Sequence, residues 1–521
     1  MAKRRSRWLL GPLLAGLSLA STAVGREGPS EAVFAAAFSR IADTYLDPVD
    51  IKRLAVDGLS SLTRLEPRLS TAVGEDGALH LSLDGGALAE LPLPRDQVPV
   101  HWSQLVMRTI ERARSASPAL KATGGDEITQ AVLDAVVADL DPYSRYAGGS
   151  KASDERSQRD GYGGVGIVLA AEPARENRLD RAINHLPHAL ISEVMPHSPA
   201  AAAGIRIGDS IVAIDSQDIG DATAEQIGAR LRGPVGSAIE LTVSRAGTAR
   251  RVTLRRDRVV PNTVTAHVDG NVALLRIERF NAATALNLRD AIVRLRAEAR
   301  PKGFILDLRG NPGGLLDQAV AVADEFVTSG RILTTEGRHP DSLQRYDATP
   351  DDQLDGLPLV VLIDGKSASA AEIVAAALQD SGRAVLVGSS TFGKGSVQTV
   401  TRLPNDGELF LTWSRIYAPS GYTLHRQGVQ PTVCTTRDSS SVRRVVADID
   451  GGRLTAISTL SVWRARAPED ESSLTHLRDL CPWTAHPAEF DVDVAKALLA
   501  NDRLYHRALS AGITSVAEHR N

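Results

Sequence analysis

The sequence predicts a multidomain protein of mixed α/β and α+β structure, and three observations support this fold class. With 521 residues, the chain is too long for one hydrophobic core, because a typical domain holds about 100–150 residues. From Gly161 to Arg258, short apolar strands alternate with glycine turns, as in an antiparallel β domain. From Asn271 to Gly421, strand and helix patterns alternate, as in a layered α/β domain.

The composition narrows the classes of partner. Hydrophobic residues make up 43% of the chain and charged residues 23%, with a formal net charge of -4. Such a charge gives no general attraction for nucleic acid or for an anionic membrane surface. We therefore expect no nucleic acid partner.

The first 25 residues predict an export signal. Basic residues are concentrated between Lys3 and Arg7, and an apolar stretch follows from Trp8 to Ala20. That stretch is shorter than the roughly 20 residues that span a bilayer, which favours a cleaved signal over an anchor. An uncleaved segment would associate the chain with a membrane.

A helical N-terminal region is expected over residues 26–150, with an irregular insertion at about residues 69–125. Large apolar residues recur at spacings of four, three and four, as on one face of an amphipathic helix: Phe34, Phe38, Ile41 and Tyr45. The strand-like sequence LHLSLDGGALAELPLP then interrupts the helical pattern. The insertion leaves the oligomeric state open.

The stretch GSSTFGKGSVQ, from Gly388 to Gln398, partly matches a nucleotide-binding loop. Its G-x-x-x-x-G-K spacing is that of a P-loop, which requires Ser or Thr directly after the lysine to hold magnesium. Here Gly395 follows Lys394, and Ser396 comes one residue late. A nucleotide hydrolase is therefore not expected, and Lys394 becomes a lysine on a glycine-rich turn.

Two serines, Ser367 and Ser369, lie where a predicted strand is followed by a predicted helix. Unpaired N–H groups at a helix N-terminus favour developing negative charge, so this is a suitable position for a nucleophile, although an ordinary capping serine is the alternative. The G-x-S-x-G pattern is absent, and S-x-x-K fails at Ser369 because Glu372 stands three residues on.

A metal site is not expected. None of the twelve histidines belongs to an H-E-x-x-H motif, and His185 and His188 have no acidic or cysteine residue close by in the sequence. The chain has two cysteines, Cys434 and Cys481. They form either one disulfide, which an oxidising compartment would favour, or two separate thiols.

Residues 160–258 resemble a PDZ domain. The similarity rests on GYGGVGIVLA, on SPAAAAGIRIGD and on the L-R-G turn before a strand. It implies that a peptide adds as an extra strand and that the backbone of Gly164, Val165 and Gly166 binds its terminal carboxylate. A purely structural β domain without a ligand is the alternative.

Ser369 and Lys394 occur in SASAAE and TFGKGSVQ, and these segments resemble the carboxyl-terminal processing, or tail-specific, peptidases. The similarity extends to DLRGNPGGLLDQAV, GELFLTWSRIYAPSGYTLHRQGVQPTV, LDPVD and DLDPYSRY, and covers about residues 30–433. It implies a serine peptidase with a Ser-Lys dyad, a PDZ domain ahead of the core, and a layered α/β core of crotonase/ClpP-like type over residues 262–433.

The resemblance implies specific catalytic roles. Ser369 would be the nucleophile, Lys394 the general base, and Gln398 the residue that orients the lysine. A free lysine titrates near 10.4, so Lys394 must be desolvated or placed among positive charges to act near neutral pH. The apolar neighbours Phe392 and Val397 would contribute that burial.

Other roles follow from the same resemblance. The oxyanion hole would combine the N–H of Ala370 with that of Gly313, or alternatively of Gly314. Asp380 matches an acidic residue of the family, and we expect it to pack the end of a helix and not to take part in catalysis; Arg232 would couple the PDZ domain to the core.

The expected function is that of an exported serine endopeptidase of a bacterial periplasm or cell envelope, which recognises apolar protein C-termini and needs no cofactor. Non-catalytic binding is the alternative, and a histidine-dependent protease is disfavoured because G-[ND]-S-G-G is absent. Residues 434–521 form an extension of unknown role, which, like the N-terminal insertion, is a candidate site for an adaptor or activator protein.

Overall fold

The computed structural model describes residues 29–170, 189–220, 222–436, 441–465, 471–484 and 487–517. The predicted export segment lies outside these residues. These described residues fold into two compact units, one formed by residues 29–35 with 51–136, the other by residues 36–50 with those from 137 to 517. Within the described part of the chain, no helix is both long enough and apolar enough to cross a membrane.

The N-terminal region is helical, as the apolar spacing predicts, and it also contains a small sheet. Its helices are α1 (Glu31–Thr44), α2 (Ile51–Ser60), α3 (Pro99–Ala116), α4 (Pro118–Ala122), α5 (Gly125–Ala138) and α6 (Gly149–Asp160), with a 3-10 turn at Ser61–Arg64. Strands β1 (Leu69–Val73), β2 (Ala78–Leu83) and β3 (Gly86–Pro92) form an antiparallel sheet. Leu79 and Leu81 are buried on one face of β2, since side chains alternate along a strand.

The domain that follows is mostly antiparallel β structure. Its strands are β5 (Tyr162–Gly164), β6 (Ile167–Leu169), β7 (Ile191–Val194), β8 (Ser210–Ile214), β9 (Gln217–Asp218), β10 (Ala238–Arg245), β11 (Thr248–Arg255) and β12 (Asp257–Val259). The largest sheet has the order β11-β10-β8-β9, while β5 pairs with β12 and β6 with β7.

Two short helices complete this domain. Helix α7 (Pro199–Ala202) begins after Ser198, whose hydroxyl accepts the Ala201 N–H. Helix α8 (Ala224–Leu231) begins with a capping box, in which Thr223 and Gln226 each accept the other's backbone N–H. The core between helices and strands is formed by aliphatic side chains, including Ile191, Ile211, Ile227 and Leu241.

The α/β domain that follows β12 contains a central sheet of six strands. They are, in spatial order, β13 (Val264–Asp269), β14 (Val272–Ile277), β15 (Gly303–Asp307), β18 (Leu359–Ile363), β19 (Val385–Gly388) and β22 (Val433–Cys434). All pairings except β13 with β14 are parallel. Every residue of β15 and β18 is buried, because both faces of the sheet are covered.

A second sheet lies in the same region. It contains β17 (Gln344–Asp347), β16 (Arg331–Glu336), β21 (Glu408–Tyr417) and β20 (Ser396–Arg402), and β4 (Arg145–Ala147) also pairs with β21. Three helices pack between or beside the sheets: α9 (Thr284–Glu298), α10 (Leu316–Asp324) and α11 (Ala370–Asp380). A 3-10 turn occupies Pro340–Ser342.

The C-terminal extension forms helices that cover one face of the central sheet. They are α12 (Val442–Asp450), α13 (Thr455–Ala465), α14 (Glu471–Arg478), α15 (Ala488–Leu499) and α16 (Asp502–Ala517). Val494, Leu498 and Tyr505 join a core cluster with the sheet residues Ile305 and Val360. The extension is therefore part of the hydrophobic core.

Candidate active site

The loop after β18 is built to hold one serine and present another. The Asp364 carboxylate accepts the N–H groups of Gly310, Lys366 and Ser367 at 2.9–3.0 Å. The Ser367 hydroxyl is fully buried and donates to the carbonyl of Leu308 at 2.9 Å. Ser367 thus has a structural role.

Ser369 stands immediately before α11 and lines a cavity of about 260 Å³. Its φ is 54°, in the left-handed region that a residue with a side chain seldom adopts. Such strain persists only where the surroundings enforce it, and it is common at catalytic residues. The helix N-terminus beside it favours negative charge.

The lysine predicted as the base lines the same cavity. Lys394 is half-buried, and its Nζ lies 5.2 Å from the centre of the Tyr143 ring. Burial lowers the pKa of Lys394, and the positive charge of Arg145 adds to this, while Asp141 and Glu372 oppose it. The direction is the one that a general base requires.

Glu372 connects the serine and the lysine through the backbone. Its carboxylate is fully buried and accepts the N–H of Ser369 at 2.7 Å, of Gly393 at 2.7 Å and of Lys394 at 2.9 Å, together with the Thr391 hydroxyl at 2.5 Å. Burial raises the pKa of Glu372, and these donors act in the opposite direction. Four donors to one carboxylate favour its ionised form.

A local sequence pattern indicates the position of Glu372 at the start of α11. A serine followed three residues later by glutamate, ahead of an apolar helix, is the capping-box pattern. The contacts of Glu372 to residues 391–394 are not predictable from this pattern, because they join two separate segments of the chain.

Gln398 also lines the cavity, but its hydrogen bonds go elsewhere. Its side-chain N–H donates to the Ser396 hydroxyl at 2.9 Å and to the Thr412 hydroxyl at 3.2 Å. Thr412 in turn donates to Asp141 at 3.0 Å. The structure therefore brings Gln398 to the dyad without a direct hydrogen bond to Lys394 among the described residues.

The two glycines proposed for the oxyanion hole differ in their hydrogen bonds. The N–H of Gly313 donates to the Asn311 side chain at 2.8 Å, so it is already occupied. Gly314 and Ala370 both line the cavity with Ser369, and in the described residues neither N–H has a hydrogen-bond partner. These contacts favour Gly314 over Gly313, the first choice from the sequence, as the partner of Ala370.

The turn that carries these glycines packs tightly against the nucleophile. A Cβ added to Gly313 would lie 2.8 Å from the Cβ of Ser369, and one added to Gly314 would lie 1.9 Å from the carbonyl oxygen of Phe280. Asn311 fixes the turn, since its carbonyl accepts the Ala368 N–H at 2.9 Å. Glycine is needed here for close approach.

Residues far ahead in the chain complete the cavity. Tyr143 and Arg145 come from DLDPYSRY, and the Arg145 guanidinium lies 3.6 Å from the centre of the Phe410 ring. Arg145 also pairs with Glu155 at 2.6 Å. The resemblance includes this segment, but the sequence alone does not indicate that its residues line the cavity.

A second cavity, of about 410 Å³, lies between β6 and α8. Gly164, Val165 and Gly166 line it, and the carbonyls of Val165 and Gly166 are taken by backbone donors of the same domain. The N–H groups of these two residues have no partner in the part of the chain that the structure describes. This arrangement suits an incoming carboxylate.

Arg232 and Asp380, two further residues singled out in the sequence, each contact side chains close to them in the fold. Arg232 lines the second cavity and stacks over Tyr162, 4.7 Å from the ring centre. Asp380, at the end of α11, forms a buried ion pair with Arg464 and accepts the N–H and hydroxyl of Ser420. These contacts are those of a residue that packs the end of a helix, as expected for Asp380.

Two regions of the chain match known protein families. Residues 271–435 match the model of Peptidase family S41, and residues 190–245 match a PDZ domain. A carboxy-terminal-processing protease of Bartonella bacilliformis is 38% identical over 313 residues, which cover 59% of this chain and 69% of that protein. The chain belongs to peptidase family S41. This membership confirms the expected fold class and identifies a serine peptidase of the C-terminal processing class with a PDZ domain.

A solved structure is also similar to this S41 peptidase. The photosystem II D1 C-terminal processing protease aligns with a TM-score of 0.34 and 24% sequence identity, covering 74% of this chain and 92% of that one.

Among the residues that the structure describes, one group of three side chains could hold a metal ion. Asp76, His80 and Glu90 offer ligand atoms within 4.8 Å of one another on the small β1–β3 sheet. Asp76 and Glu90 are exposed, and His80 is engaged with Asp76 at 3.0 Å. The cluster belongs to a different compact unit from Ser369.

Proposed function

We propose that this S41 peptidase cleaves peptide bonds with Ser369 as nucleophile and Lys394 as general base. The observation that carries the proposal is that both residues line one cavity, in which burial lowers the pKa of Lys394. The neutral amine of Lys394 takes the proton of the Ser369 hydroxyl as its oxygen attacks the substrate carbonyl carbon.

The tetrahedral intermediate carries a negative oxygen beside two backbone donors. The N–H groups of Ala370 and Gly314 are the donors that line the cavity without partners in the described chain. The Lys394 ammonium then protonates the leaving amine as the peptide bond breaks, which leaves an acyl group on Ser369. Water, deprotonated by Lys394, hydrolyses this ester and regenerates the hydroxyl.

The substrate C-terminus binds in the cavity of the PDZ domain. Gly166 and Val165 offer N–H groups to the carboxylate, and Ile167, Met195 and Leu231 line the adjacent space with apolar surface. An extended peptide in this position would add as a strand beside β6. The proposed substrates are therefore proteins that end in apolar residues.

The basic and apolar stretches of residues 1–25 support export, and we place the peptidase in a bacterial cell envelope. Cell fractionation with an antibody against the protein would test this location. Recovery of the full-length chain from the cytosol alone would contradict it.

The central experiment is cleavage of an unfolded protein with an apolar C-terminus in the presence of a chelator. Ser369→Ala and Lys394→Ala should each abolish cleavage, whereas Lys366→Ala, an exposed lysine on the neighbouring loop, should retain it. Full activity in Lys394→Ala would refute the dyad. Binding without any cleavage by folded wild-type protein would favour the non-catalytic alternative.

A further inference from the structure

The loop that carries Lys394 is held by the C-terminal extension. This lysine loop, residues 389–395, connects β19 to β20. At its beginning, the N–H and the hydroxyl of Ser390 both donate to the carbonyl of Cys481, at 3.1 and 2.9 Å. Cys481 is joined by a disulfide to Cys434. The bridge left open by the sequence is thus present, and it fixes Cys481 beside the lysine loop.

Arg478 lies one turn before Cys481 and contacts the middle of the loop. Its guanidinium donates to the carbonyls of Thr391 at 2.7 Å and Phe392 at 3.3 Å. It also reaches the carbonyls of Arg426 and Gln427, at 3.0 and 3.4 Å. A planar guanidinium with several donors can hold two chain segments at once in this way.

Arg478 and Glu372 contact neighbouring parts of the lysine loop. Arg478 binds the carbonyls of Thr391 and Phe392, and Glu372 binds the next two N–H groups, those of Gly393 and Lys394. Loop movement at residues 391–392 would therefore be transmitted to the backbone of Lys394.

The absence of a side chain at Gly393 allows Arg478 to approach the loop this closely. A Cβ added to Gly393 would lie 3.2 Å from the nearest guanidinium nitrogen of Arg478 and 3.0 Å from the Arg426 carbonyl. The φ of Gly393 is 94°, which favours glycine. The guanidinium, the loop and the neighbouring 426–427 segment are packed together closely.

We propose that Arg478, anchored by the Cys434–Cys481 disulfide, is a positioning residue for the general base Lys394. The proposal rests on the proposed function of Lys394. Arg478 neither touches substrate nor transfers a proton. By fixing the lysine loop, it keeps the amine in the partly desolvated cavity beside Ser369.

The test compares Arg478→Gln, Arg478→Lys and the matched control Arg453→Gln. Arg453 is an exposed arginine of the same extension that pairs with Asp448. Arg478→Gln should lower kcat by about 10- to 100-fold with KM changed less than about twofold, since misplacement of a catalytic group by about 1 Å has effects of this order. The acid limb of the kcat–pH profile should move to higher pH, because a more hydrated lysine is more basic.

Arg478→Lys should recover part of kcat, since an ammonium still donates to a carbonyl, and Arg453→Gln should match wild type. An Arg478→Gln enzyme with wild-type kcat and pH profile would overturn the proposal, even if its melting temperature fell. Lys394→Ala is assayed in parallel: activity there would refute the proposed base, whereas an inactive Lys394→Ala beside an unaffected Arg478→Gln would refute the positioning role alone.

The wild-type enzyme provides a second measurement if Arg478→Gln fails to fold. Reduction of the disulfide by a thiol reagent should lower kcat and shift the acid limb in the same direction while the melting transition is retained. In a folded Arg478→Gln enzyme, reduction should add less than its full effect in wild type, because both changes act through the position of the same lysine loop. A folded, reduced wild-type enzyme with unchanged kcat and acid limb would contradict the proposal.

Discussion

The backbone N–H of Lys394 donates to the buried carboxylate of Glu372 at 2.9 Å. The same carboxylate accepts the N–H of Ser369, so the nucleophile and the base share one anchor three residues into α11. The distance between the two loops is therefore set by Glu372 and does not depend on a direct contact between the reacting side chains.

Replacing this anchor should impair both catalysis and stability. In Glu372→Gln, the side-chain NH2 group would face the backbone N–H groups that the carboxylate accepts. These buried backbone donors would then lose an acceptor. We expect kcat to fall by about 100-fold and the free energy of unfolding to fall by about 2–4 kcal/mol. Peptide cleavage and urea unfolding measure the two effects. Glu298→Gln, at an exposed position on α9, is the control, and wild-type activity in Glu372→Gln would contradict the anchor role.

The pH dependence should reveal the environment of Lys394. Since burial lowers its pKa, kcat should rise with pH along an acid limb whose midpoint lies below 10.5, the ordinary value for lysine. Rate measurements across the pH range with a non-titrating peptide test this. A limb centred at or above the ordinary lysine value would show that the cavity does not activate the amine.

The same pKa shift has a consequence for stability. With a lowered folded-state pKa, the unfolded chain binds more protons between that pKa and 10.5, so stability rises with pH across this window. Lys394→Met removes the burial cost of the charge and should therefore be more stable than wild type at pH 7. The difference should shrink as pH approaches 10.5, as measured by urea unfolding at several pH values. A stability difference that does not change with pH would mean that altered packing, and not the charge of Lys394, is responsible.

The turn at Gly314 should tolerate no side chain. Its φ of 149° and the close Phe280 carbonyl imply that Gly314→Ala displaces the donor proposed for the oxyanion. We expect kcat to fall by about 100- to 1000-fold, as for loss of one oxyanion donor. Gly124→Ala is the control, because an added Cβ there meets no atom within 4 Å and its φ lies outside the left-handed region. Equal activity of the two variants would argue against Gly314.

Filling the PDZ cavity should affect binding and leave the chemistry intact. Gly228 on α8 lines this cavity and has open space around its Cα. Gly228→Leu should raise KM for a substrate with an apolar C-terminus by about 10-fold without changing kcat, since it occupies the peptide position. Amidation of the substrate C-terminus should weaken binding to wild type similarly. If neither change alters KM, the C-terminus is not recognised in this cavity.

Much of the fold was predictable because its signals are local. Apolar runs and helical spacing predicted α1, α11 and the parallel strands, and the Ser369 and Lys394 motifs indicated two loops that the structure brings to one cavity. The second sheet is not predictable from local patterns, because the pairing of β21 with β4 joins segments about 260 residues apart. The contacts of Arg478 with the lysine loop, and of Glu372 with residues 391–394, are not predictable for the same reason, because they join segments that are distant in sequence.

The C-terminal helices define how much chain the catalytic fold requires. The match to the family model ends at residue 435, yet the sheet face formed by Val272, Ile305 and Val360 is covered only by helices beyond that point in the described chain. Arg309, within the DLRG motif, also binds Asp491 of α15 at 3.0 Å. A recombinant fragment that ends at residue 435 would expose a broad apolar sheet face to solvent and would aggregate instead of folding. The shortest fragment of this enzyme that folds must therefore retain the C-terminal helices.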